Sequence, residues 1–522
     1  MTDYDVVVAG AGPVGLFLAC ELRLGGARVL AVERLTEVDE TIKAGSVNVP
    51  SAVSFYRRGL LPELNAVWEA ALEHLRAFKD RQGEKGQPAR LPAKFLGHFA
   101  GIMMGADLFD GSDPAWADLG PAREAGLVVP QAELERILGR RAAALGVEVR
   151  RGVEVTGFEA DDDGVTVRTS RGPVRAGWLV GCDGGRSTVR KLAGFGFPGT
   201  DPEITGYQAI VEMTGDERLL PGWNTTDVGT YVHGPFPGRI LTVEFDGPPA
   251  DRSAAVTAEE LEASLRRVTG VPEVSVEKVV SATRFTDNAR QVTEYRRGRV
   301  LLAGDAAHVH SPFGGQGLNL GIGDAMNLGW KLAAVVAGRA PETLLDSYTA
   351  ERHPIGAWVL DWTRAQIAVM RPDPHARALR RVMTDLAHTT DGTTHLVTRI
   401  SGIWQHYDLP GGHPLTGRSA PDLALADGTR LGDHLHTGRA LLLDLTDDSA
   451  LRARAEAYAD RLDVRTVACP ERPGLAALFV RPDGFVAWAA DATEGQGATE
   501  APAELGDALR QWLGDRDPVG AP

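Results

Sequence analysis

Cysteine is scarce in this chain. Its 522 residues include three cysteines, Cys20, Cys182 and Cys469, which lie far apart in the sequence. An odd and scattered set indicates neither a disulfide framework nor a zinc site. Scarce, unpaired cysteine is typical of a reducing compartment, so we expect a cytoplasmic protein.

Positive charge and long apolar runs are also in short supply. The chain has 55 lysines and arginines against 70 aspartates and glutamates, a formal net charge of −15. This balance argues against nucleic acid and against an anionic membrane surface as partners, because both attract basic patches. No apolar run reaches membrane-spanning length. The apolar run near the N-terminus follows Asp3 and Asp5 rather than lysine or arginine, so no signal peptide is expected.

The rest of the composition is that of an ordinary globular protein. Hydrophobic residues make up 43% and charged residues 24% of the chain, as in soluble domains. A length of 522 residues predicts more than one domain. The sequence contains no internal repeat.

A glycine-rich turn between two predicted strands dominates the N-terminal region. The apolar strand Val6–Val8 is followed by a GxGxxG pattern at Gly10, Gly12 and Gly15. In this pattern the first glycine allows a tight turn, the second lets a pyrophosphate approach the backbone, and the third allows close helix packing. A helix and a second strand follow, and the strand runs into Glu33, whose carboxylate suits ribose hydroxyls. This order predicts a dinucleotide-binding unit.

A second glycine-rich segment, Gly298–Val336, has the order strand, acid, loop, helix. Asp305 ends its buried strand, where ligands lie in doubly wound sheets. The loop Pro312–Gly317 has glycine at 314, 315 and 317, so its backbone can lie flat against a ring or a phosphate. The helix that follows directs its N-terminal amides at bound negative charge.

Two further residues have ambiguous patterns. Asp183 lies between a strand and a helix start, which suits a helix cap as well as a ligand contact. Lys43 suits a phosphate or a ring edge as well as a solvated surface position.

The remaining segments predict additional units. Residues 76–125 lack periodicity and predict mixed strands and loops, and residues 147–184 predict an antiparallel meander. Residues 198–297 predict a mostly antiparallel sheet with one helix at Ala258–Val268. From residue 425 onward the order of strands and helices predicts a thioredoxin-like α/β unit, without a CxxC motif for thiol chemistry.

These motifs resemble those of the class A flavin-dependent aromatic monooxygenases, the group built like para-hydroxybenzoate hydroxylase. GAGPVG with Glu33 resembles the family's ADP-binding motif, CDGGRSTVR its Asp-Gly motif, and LLAGDAAHVHSPFGGQGLNLGIGDAMNLGWKL its second FAD motif. The segments SGIWQHYDLPGGHPLTGRSAPDLALADG and LFVRPDGFVAW are similar to the tails of phenol hydroxylase and the bacterial polyketide hydroxylases. The resemblance covers the whole chain and is strongest to the aromatic polyketide hydroxylases.

The resemblance implies an α/β architecture with three domains. A Rossmann-like FAD-binding domain would take residues 1–75, 100–190 and 285–400. An inserted, mostly antiparallel substrate-binding sheet domain would take residues 76–99 and 191–284. A linker, 401–424, would lead to a thioredoxin-like domain, 425–522.

The resemblance also implies FAD contacts. The pyrophosphate would lie at Gly10–Gly15, the adenosine ribose at Glu33 and the ribityl chain at Asp305. Gln131 would touch the cofactor between its ends, and amides of Gly315–Asn319 would face the flavin N1–C2=O edge. The cofactor-binding residues implied are Gly10, Ala11, Gly12, Pro13, Val14, Gly15, Glu33, Arg34, Lys43, Gln131, Asp183, Asp305, Gly317, Leu318 and Asn319.

The implied reaction is hydroxylation of an aromatic polyketide or a similar polycyclic phenol or quinone. In the family, NADPH or NADH reduces FAD, O2 adds at flavin C4a, and the hydroperoxide delivers oxygen from a site that must exclude water. Pro312, Gly314 and Gly315 are predicted as catalytic residues beside that site. Tyr231 and Arg371 are candidate substrate contacts, although a packed or a surface position fits each of them too. The partners expected are the small aromatic substrate and O2, and the protein is expected to be a monomer or a homodimer.

Two departures from the family pattern concern the cofactor region. Relatives carry an Arg-Thr-x-Glu sequence where this chain has Pro50, Ser51 and Val53, and they carry arginine at the position of Lys43. Lysine keeps the charge of arginine but loses its bidentate fork.

Other activities on the same scaffold stay open. The motifs do not separate hydroxylation from Baeyer–Villiger oxygen insertion, nor from a non-oxygenating role as an FAD-binding pathway protein. A flavin halogenase is disfavoured because the sequence has no GWxWxIP segment. His308 and His310 lack a metal-ligand pattern and are expected to make structural hydrogen bonds, and no metal site is expected. The acids and bases at Asp346, Glu351, Arg352 and His353 are expected to form structural ion pairs.

Overall fold

The computed structural model describes residues 2–83, 95–124, 127–234, 236–252, 254–492 and 501–515. Its α-helices are α1 Pro13–Leu24, α2 Val49–Tyr56, α3 Leu61–Gly83, α4 Pro114–Ala117, α5 Gln131–Ala144, α6 Thr188–Leu192, α7 Ala258–Thr269, α8 Gln316–Val336, α9 Asp346–Met370, α10 Pro374–Ala387, α11 Thr390–Ser401, α12 Ser449–Ala455 and α13 Ala501–Leu513. Its strands are β1 Tyr4–Ala9, β2 Val29–Glu33, β3 Ser46–Val47, β4 Phe95–Phe99, β5 Ile102–Gly105, β6 Leu127–Val128, β7 Glu148–Arg151, β8 Val155–Asp161, β9 Gly164–Thr169, β10 Gly172–Gly181, β11 Gly199–Thr200, β12 Thr205–Thr214, β13 Gly222–Thr225, β14 Gly229–His233, β15 Arg239–Glu244, β16 Ser275–Phe285, β17 Ala289–Gln291, β18 Arg296–Arg297, β19 Val300–Leu302, β20 His308–Val309, β21 Ala440–Asp444, β22 Leu462–Thr466, β23 Leu475–Val480 and β24 Val486–Asp491.

A parallel sheet forms the centre of the first unit. Its strands follow the order β19-β10-β1-β2-β7 and all run parallel, with β18 antiparallel beside β19. The strands β1 and β2 are almost wholly buried valine, leucine and alanine, as expected for strands covered on both faces. The helix α1 contacts both α5 and α8. The predicted order of strand, glycine turn, helix and strand is therefore present.

The meander is shorter than predicted. The strands β8, β9 and the first half of β10 pair antiparallel. The strand β7 instead pairs parallel with β2. Since β7 follows the crossover helix α5, it returns to the parallel sheet before the meander begins.

A second, antiparallel sheet follows the order β13-β14-β15-β12-β16, in agreement with the prediction for residues 198–297. The helix α7 begins after Thr257, whose side chain accepts a hydrogen bond from the Glu260 amide, and ends at Gly270. Its residues Leu261, Leu265 and Val268 pack against one face of the sheet. The opposite face carries aromatic side chains toward the loop before α8.

The region 76–99 differs from its prediction. Residues 76–83 continue the helix α3, and β4 pairs with β5 in a separate two-stranded sheet rather than with the larger antiparallel sheet. The leucine, alanine and glutamate residues of α3 favour a helix. The irregular sequence that follows makes the end of this helix hard to recognise from the sequence. Residues 84–94 of this prediction lie outside the described part of the chain.

The C-terminal unit is a four-stranded sheet in the order β22-β21-β23-β24, with β21 and β22 parallel and the other pairs antiparallel. The helix α12 ends at Ala455, and a 3-10 turn follows it. One face of the sheet packs with Trp330 and Leu344 of the first unit. The segment predicted as a linker, 401–424, packs closely too, since the Tyr407 ring stacks on Phe485 with centroids 4.0 Å apart.

Membrane-spanning helices are not found in the described ranges. There, no helix is both long enough and apolar enough to cross a bilayer.

Candidate functional site

The carboxyl ends of four parallel strands meet at one edge of the first sheet. There β1 runs into Gly10, β2 ends at Glu33, β10 runs into Asp183, and β19 runs into Asp305. Ligands of open α/β sheets bind outside this edge. The fold therefore brings together the three motifs, although more than a hundred residues separate each motif from the next.

The glycines of the first motif occupy positions with different constraints. Gly10 has φ +101°, and a Cβ there would lie 2.3 Å from the Cys182 carbonyl oxygen. A Cβ on Gly15 would lie 2.0 Å from the Gly10 carbonyl oxygen. At Gly12, which precedes α1, an added Cβ would meet no atom within 4 Å. Gly10 and Gly15 are thus required by packing, and Gly12 leaves space beside the N-terminal amides of α1.

Glu33 is bound to the turn that it follows. One carboxylate oxygen accepts a hydrogen bond from the Ala11 amide at 2.9 Å, and the other accepts one from the Leu35 amide at 3.0 Å. A carboxylate can accept about four hydrogen bonds, so acceptor capacity remains. Glu33 both shapes the turn and keeps the capacity to bind hydroxyls.

Three other residues predicted to contact the cofactor make contacts of their own with the protein or with solvent. The Lys43 ammonium pairs with Asp39 at 2.6 Å on a partly exposed surface, and Arg34 is exposed. Gln131 begins α5, and its backbone amide donates to the Ala44 carbonyl at 2.9 Å. The ion pair with Asp39 accounts for the charge of Lys43 without a ligand.

Asp183 is a helix cap with one oxygen left over. Its Oδ2 accepts hydrogen bonds from the amides of Thr188 at 2.7 Å and Val189 at 3.1 Å. Its Oδ1 is buried and has no hydrogen-bond partner in the described part of the chain. Oδ2 thus binds first-turn amides of α6, as a capping group does, while Ser187 is the N-cap residue of this helix. Among the described residues, the buried Oδ1 has no donor.

The second glycine-rich loop ends in an uncapped helix. Gly314 and Gly315 have φ +82° and +64°, and Gly315 precedes α8 without a side-chain cap. The Asn319 amide group donates to the carbonyls of Ser46 and Gly315 at 2.9 and 2.6 Å. The side chain of Asn319 thus fixes the loop from behind, while backbone amides at the start of α8 stay available.

Asp305 and Gly317 border the same space. Asp305 is exposed, and a Cβ on Gly317 would lie 3.8 Å from its Oδ1 and 3.5 Å from His310 Nε2. The first motif lies close to the Asp305 turn and to the helix α8, since Val14 would contact a Cβ placed on Gly304 or on Gly321. The small residues of the two motifs form a cradle that larger side chains would fill. Of the loop residues, Pro312 is exposed and Leu318 is partly buried.

An aromatic cluster lies where the antiparallel sheet meets this loop. The Phe313 ring lies 5.9 Å from the Trp223 ring and 5.8 Å from the Phe285 ring, both edge to face. Phe99 packs on Trp362 in the same cluster. Such surfaces bind planar apolar molecules. We take this as the candidate substrate side of the site.

The structure does not place Tyr231 in that cluster. It is 6% exposed and packs with the α7 side of the sheet, and its hydroxyl accepts a hydrogen bond from the Leu220 amide at 3.3 Å. Side chains alternate along a strand, so Val232 faces the cluster and Tyr231 faces away. Arg371, at the end of α9, is partly exposed and pairs with Glu203. The ordinary packed and surface positions are thus the ones found for these two residues.

Three side chains missed in the sequence contribute to the site. Arg190 donates to the carbonyls of Gly185 at 2.8 Å and Ala306 at 2.9 Å, which links the Asp183 turn to the Asp305 turn. Gln366 joins Phe313 to the hairpin β4–β5 through the Ala100 amide. His98 lies 4.4 Å from the Trp223 ring, and burial beside Arg380 lowers the pKa of His98 to about 4. Only Arg190 had a sequence signal, its place in the Asp-Gly segment.

The histidines and the acids and bases of α9 make structural contacts, as expected. His308 Nε2 lies 2.7 Å from Asp324, and His310 Nδ1 lies 2.7 Å from the Ser311 carbonyl. Glu351 pairs with Lys331 and Arg481, and Arg352 pairs with Asp324. Their partners come from other elements of the fold, which sequence spacing did not reveal.

Comparisons with known proteins agree with this arrangement. A family model described as FAD binding domain matches residues 3–363, and a model described as aromatic-ring hydroxylase, C-terminal, matches residues 413–515. The chain is 42% identical to a 12-dehydrotetracycline 5-monooxygenase/anhydrotetracycline 6-monooxygenase of Streptomyces rimosus, over 98% of this chain and 99% of that protein. The solved structure of OxyS anhydrotetracycline hydroxylase from Streptomyces rimosus superposes with a TM-score of 0.83 at 41% identity, covering 98% and 99% of the two chains. A dialkyldecalin synthase of Streptomyces rugosporus is 37% identical, over 98% and 99% of the two chains.

Proposed function

Because the chain belongs to the class A FAD-dependent aromatic monooxygenases, we propose that it hydroxylates an aromatic polyketide or a similar polycyclic phenol or quinone. The observation that carries this proposal is the aromatic cluster of Phe313, Trp223 and Phe285, which joins the glycine-rich loop to the second sheet. An apolar cluster of aromatic rings beside that loop suits a fused-ring substrate.

FAD is the cofactor of this enzyme, and the residues at the sheet edge fit it. The space at Gly12 beside the N-terminus of α1 suits a pyrophosphate. Glu33 would hold the adenosine ribose, and Asp305 would hold the ribityl chain. The uncapped start of α8 would place amides of Gly317, Leu318 and Asn319 toward the flavin ring. When bound and reduced, FAD supplies the activation of O2 that amino-acid side chains lack.

The chain's own residues then orient the substrate and exclude water. The packing of Phe99, Phe313 and Trp362 closes the apolar side of the site. His98 stays neutral near pH 7, since its pKa lies near 4. Its Nδ1 accepts the Gly101 amide at 3.2 Å, so a ring proton would be carried on Nε2. Gln366 holds the Phe313 carbonyl and thereby the shape of the loop.

We propose NADPH or NADH as the reductant and O2 as the second substrate. The chain comprises a Rossmann-like FAD-binding domain, an inserted substrate sheet domain and a C-terminal thioredoxin-like domain. The protein is cytoplasmic and works as a monomer or a homodimer. The order and directions of the strands β21–β24 support the thioredoxin-like label.

A second candidate function is a non-oxygenating step on a pathway intermediate, with FAD as a bound cofactor. The dialkyldecalin synthase relative favours it, because that protein matches nearly the whole chain and carries the name of a synthase. The apolar residues Pro50 and Val53, at the family's Arg-Thr-x-Glu position, also favour it. Val53 is buried in α2 and packs in the hydrophobic core.

One experiment separates these functions. Purified protein should be yellow and release one FAD per chain on denaturation. We would incubate it with anhydrotetracycline, NADPH and 18O2, and analyse products by mass spectrometry and NMR. Hydroxylation predicts one 18O atom in a hydroxyl group and substrate-stimulated NADPH oxidation. The variant Asp305→Ala should bind FAD more weakly and show less 18O incorporation and less NADPH oxidation, in proportion to its FAD content.

The other outcomes are equally distinct. A ring-expanded lactone or ester with one 18O would identify a Baeyer–Villiger oxygenase. We would also test a panel of polycyclic phenols and quinones. If the protein binds FAD but no compound incorporates 18O or stimulates NADPH oxidation, the oxygenase proposal is contradicted. An isomeric product without 18O would support the second candidate.

A further inference from the structure

We propose that Arg481, on the turn between β23 and β24 of the C-terminal unit, is a positioning residue for the turn that carries Asp305. It acts through Glu351 and Arg352, neighbours on α9, and through Asp324 on α8. The proposal concerns FAD binding, so it does not depend on which substrate the enzyme takes.

Arg481 is completely buried at the junction of the C-terminal unit with the first unit. Its guanidinium lies 4.4 Å from the ring centroid of Trp512 and also contacts the rings of Trp330 and Tyr407. It donates to both carboxylate oxygens of Glu351, at 2.9 and 2.8 Å. A bidentate pair fixes direction as well as distance. The C-terminal unit therefore fixes the orientation of the Glu351 side chain on α9.

Glu351 also holds the helix α8. Its Oε2 accepts hydrogen bonds from Asn327 Nδ2 at 2.6 Å and Lys331 Nζ at 2.9 Å. Both donors lie on the face of α8 that packs against α9. The carboxylate is nearly buried, so these donors and Arg481 replace its water.

The next residue on α9 continues the connection to the cofactor side. Arg352 Nε donates to Asp324 Oδ1 at 2.9 Å, and Arg352 Nη2 donates to the Leu320 carbonyl at 3.0 Å. Asp324 Oδ2 accepts the Gly304 amide at 3.0 Å and lies 2.7 Å from His308 Nε2. Gly304 and His308 flank Asp305 on the same turn. A single carboxylate thus fixes both sides of the turn that presents Asp305.

This chain of contacts can transmit a displacement because every member is buried. Asp324, Arg352 and Arg481 are each 0–1% exposed, so no water can replace a lost partner. Removing Arg481 leaves Glu351 with two donors from α8 and none from the C-terminal unit. Asp483, buried on the same turn, loses its hydrogen bonds from Arg481 as well. We expect α9 and α8 to shift in response, which moves Asp324 and the Asp305 turn. A well-defined alternative is that Arg481 contributes only to global stability.

A double-mutant cycle on FAD affinity distinguishes these two roles. We would compare Arg481→Met, Asp324→Asn and the double variant in the full chain, titrating apoprotein with FAD and following flavin fluorescence. We expect Arg481→Met to raise the FAD Kd about tenfold, within the usual range of coupling between sites. Since both residues act on the same turn, the loss in the double variant should be clearly smaller than the two single losses combined.

The matched control is Arg452→Met. Arg452 donates to the fully buried Asp444 at 2.6 Å within the same C-terminal unit. Among the described residues, neither side chain has a hydrogen bond or an ion pair with α8 or α9. The control variant should change the FAD Kd by no more than about twofold. When it is combined with Asp324→Asn, the losses of FAD binding free energy should add. If Arg481→Met does not fold, Arg481→Lys keeps the charge but loses the bidentate geometry. It replaces Arg481→Met in the same cycle.

Three results would overturn the proposal. One is an unchanged FAD Kd in the folded Arg481 variant. Another is strict additivity with Asp324→Asn. The last is an equal loss in Arg452→Met, which would indicate general destabilisation. Loss of oxygenated product with an unchanged FAD Kd would contradict the positioning role and leave the proposed function intact.

Discussion

At the scale of single residues, the site depends on backbone positions that only glycine can occupy. Gly10 and Gly315 have positive φ, and Gly15 lies against the Gly10 carbonyl. Side chains at these positions would collide with backbone or strain the turn. The charged residues Glu33 and Asp305 then act from fixed turns.

Gly315→Val should impair oxygen transfer more than FAD binding. Gly315 has φ +64°, and an added Cβ would lie 3.3 Å from Ser46 Cβ. A β-branched residue there should cost roughly 1–3 kcal/mol and displace the loop. We expect less oxygenated product and more H2O2 per NAD(P)H consumed, because transfer needs near-attack geometry.

The measurement is product, H2O2 and NAD(P)H consumption in one reaction. Gly412→Val is the control, since a Cβ there meets no atom within 4 Å and its φ is not positive. A Gly315→Val enzyme that binds FAD and keeps the wild-type ratio and rate would show that the loop lies away from the oxygen site.

Glu33→Ala should weaken FAD binding by about 1–3 kcal/mol, because ribose hydroxyls would lose a charged acceptor. Glu33→Gln separates two contributions, since its amide oxygen can still accept the Ala11 amide hydrogen bond. Asp305→Ala should act similarly from the flavin side. Titration of apoprotein with FAD measures all three variants, and unchanged affinity in both alanine variants would mean that the cofactor is placed wrongly.

At the scale of elements, the helices α8 and α9 form the support behind the site. Their contact contains buried charges that the sequence identified only as acids and bases of α9. Burial alone would raise the pKa of Glu351, but the charges of Arg481 and Lys331 outweigh it and lower this pKa to about 2. Burial alone would likewise raise the pKa of Asp324, and His308 and Arg352 hold it below its usual range. Both carboxylates therefore stay ionised in the folded protein.

Glu351→Gln should flatten the acid dependence of stability. A carboxylate with a lowered folded pKa binds its proton more readily in the unfolded chain. Its stabilising effect is therefore present above the unfolded pKa, near 4.5, and is lost as pH falls toward about 2. We expect the variant to melt lower at pH 7 but to lose less further stability between pH 5 and pH 3.

Melting temperatures across this pH range test the prediction. Glu159→Gln is the control, because Glu159 is an exposed partner of Arg168 and exposed pairs contribute little. An acid dependence in Glu351→Gln as steep as that of the wild type would contradict the role of Glu351.

At the scale of the whole molecule, the C-terminal unit is part of one interlocked structure. Arg57 and Arg58, after α2, donate to the carbonyls of Gly484 and Pro482 at 2.9 and 2.7 Å. Trp330 of α8 packs within the core of the C-terminal sheet. The unit packs against α8, and its described residues supply no group to the aromatic cluster described above.

Cys469→Ser should therefore leave turnover intact. Cys469 is buried, and its thiol contacts the Ala424 carbonyl at 3.6 Å, a contact that a hydroxyl can replace. The comparison is the steady-state rate and product yield of wild type and variant at equal FAD content. A large loss of activity in folded, FAD-loaded variant would show a catalytic role for this thiol.

The local chemistry of this protein follows from patterns within short stretches of its sequence. The spacing of Gly10, Gly12 and Gly15 and the position of Asp305 after a buried strand predicted turns that the structure contains, because glycine requirements and strand periodicity are local. The antiparallel sheet and α7 were likewise predictable from alternation and capping. Local signals also supported the flavoprotein family.

Which side chains meet depends on the packing of segments that are distant in the sequence. Tyr231 faces α7 rather than the cluster because strand alternation in the folded sheet sets its side, and a single sequence does not say which face is buried against which partner. Arg481 pairs with Glu351, and Arg352 pairs with Asp324, across three different elements. These pairs depend on burial, which excludes water and makes each charge require its partner. The support of the turn that carries Asp305 comes from packing between distant segments, so no local pattern in the sequence encodes it.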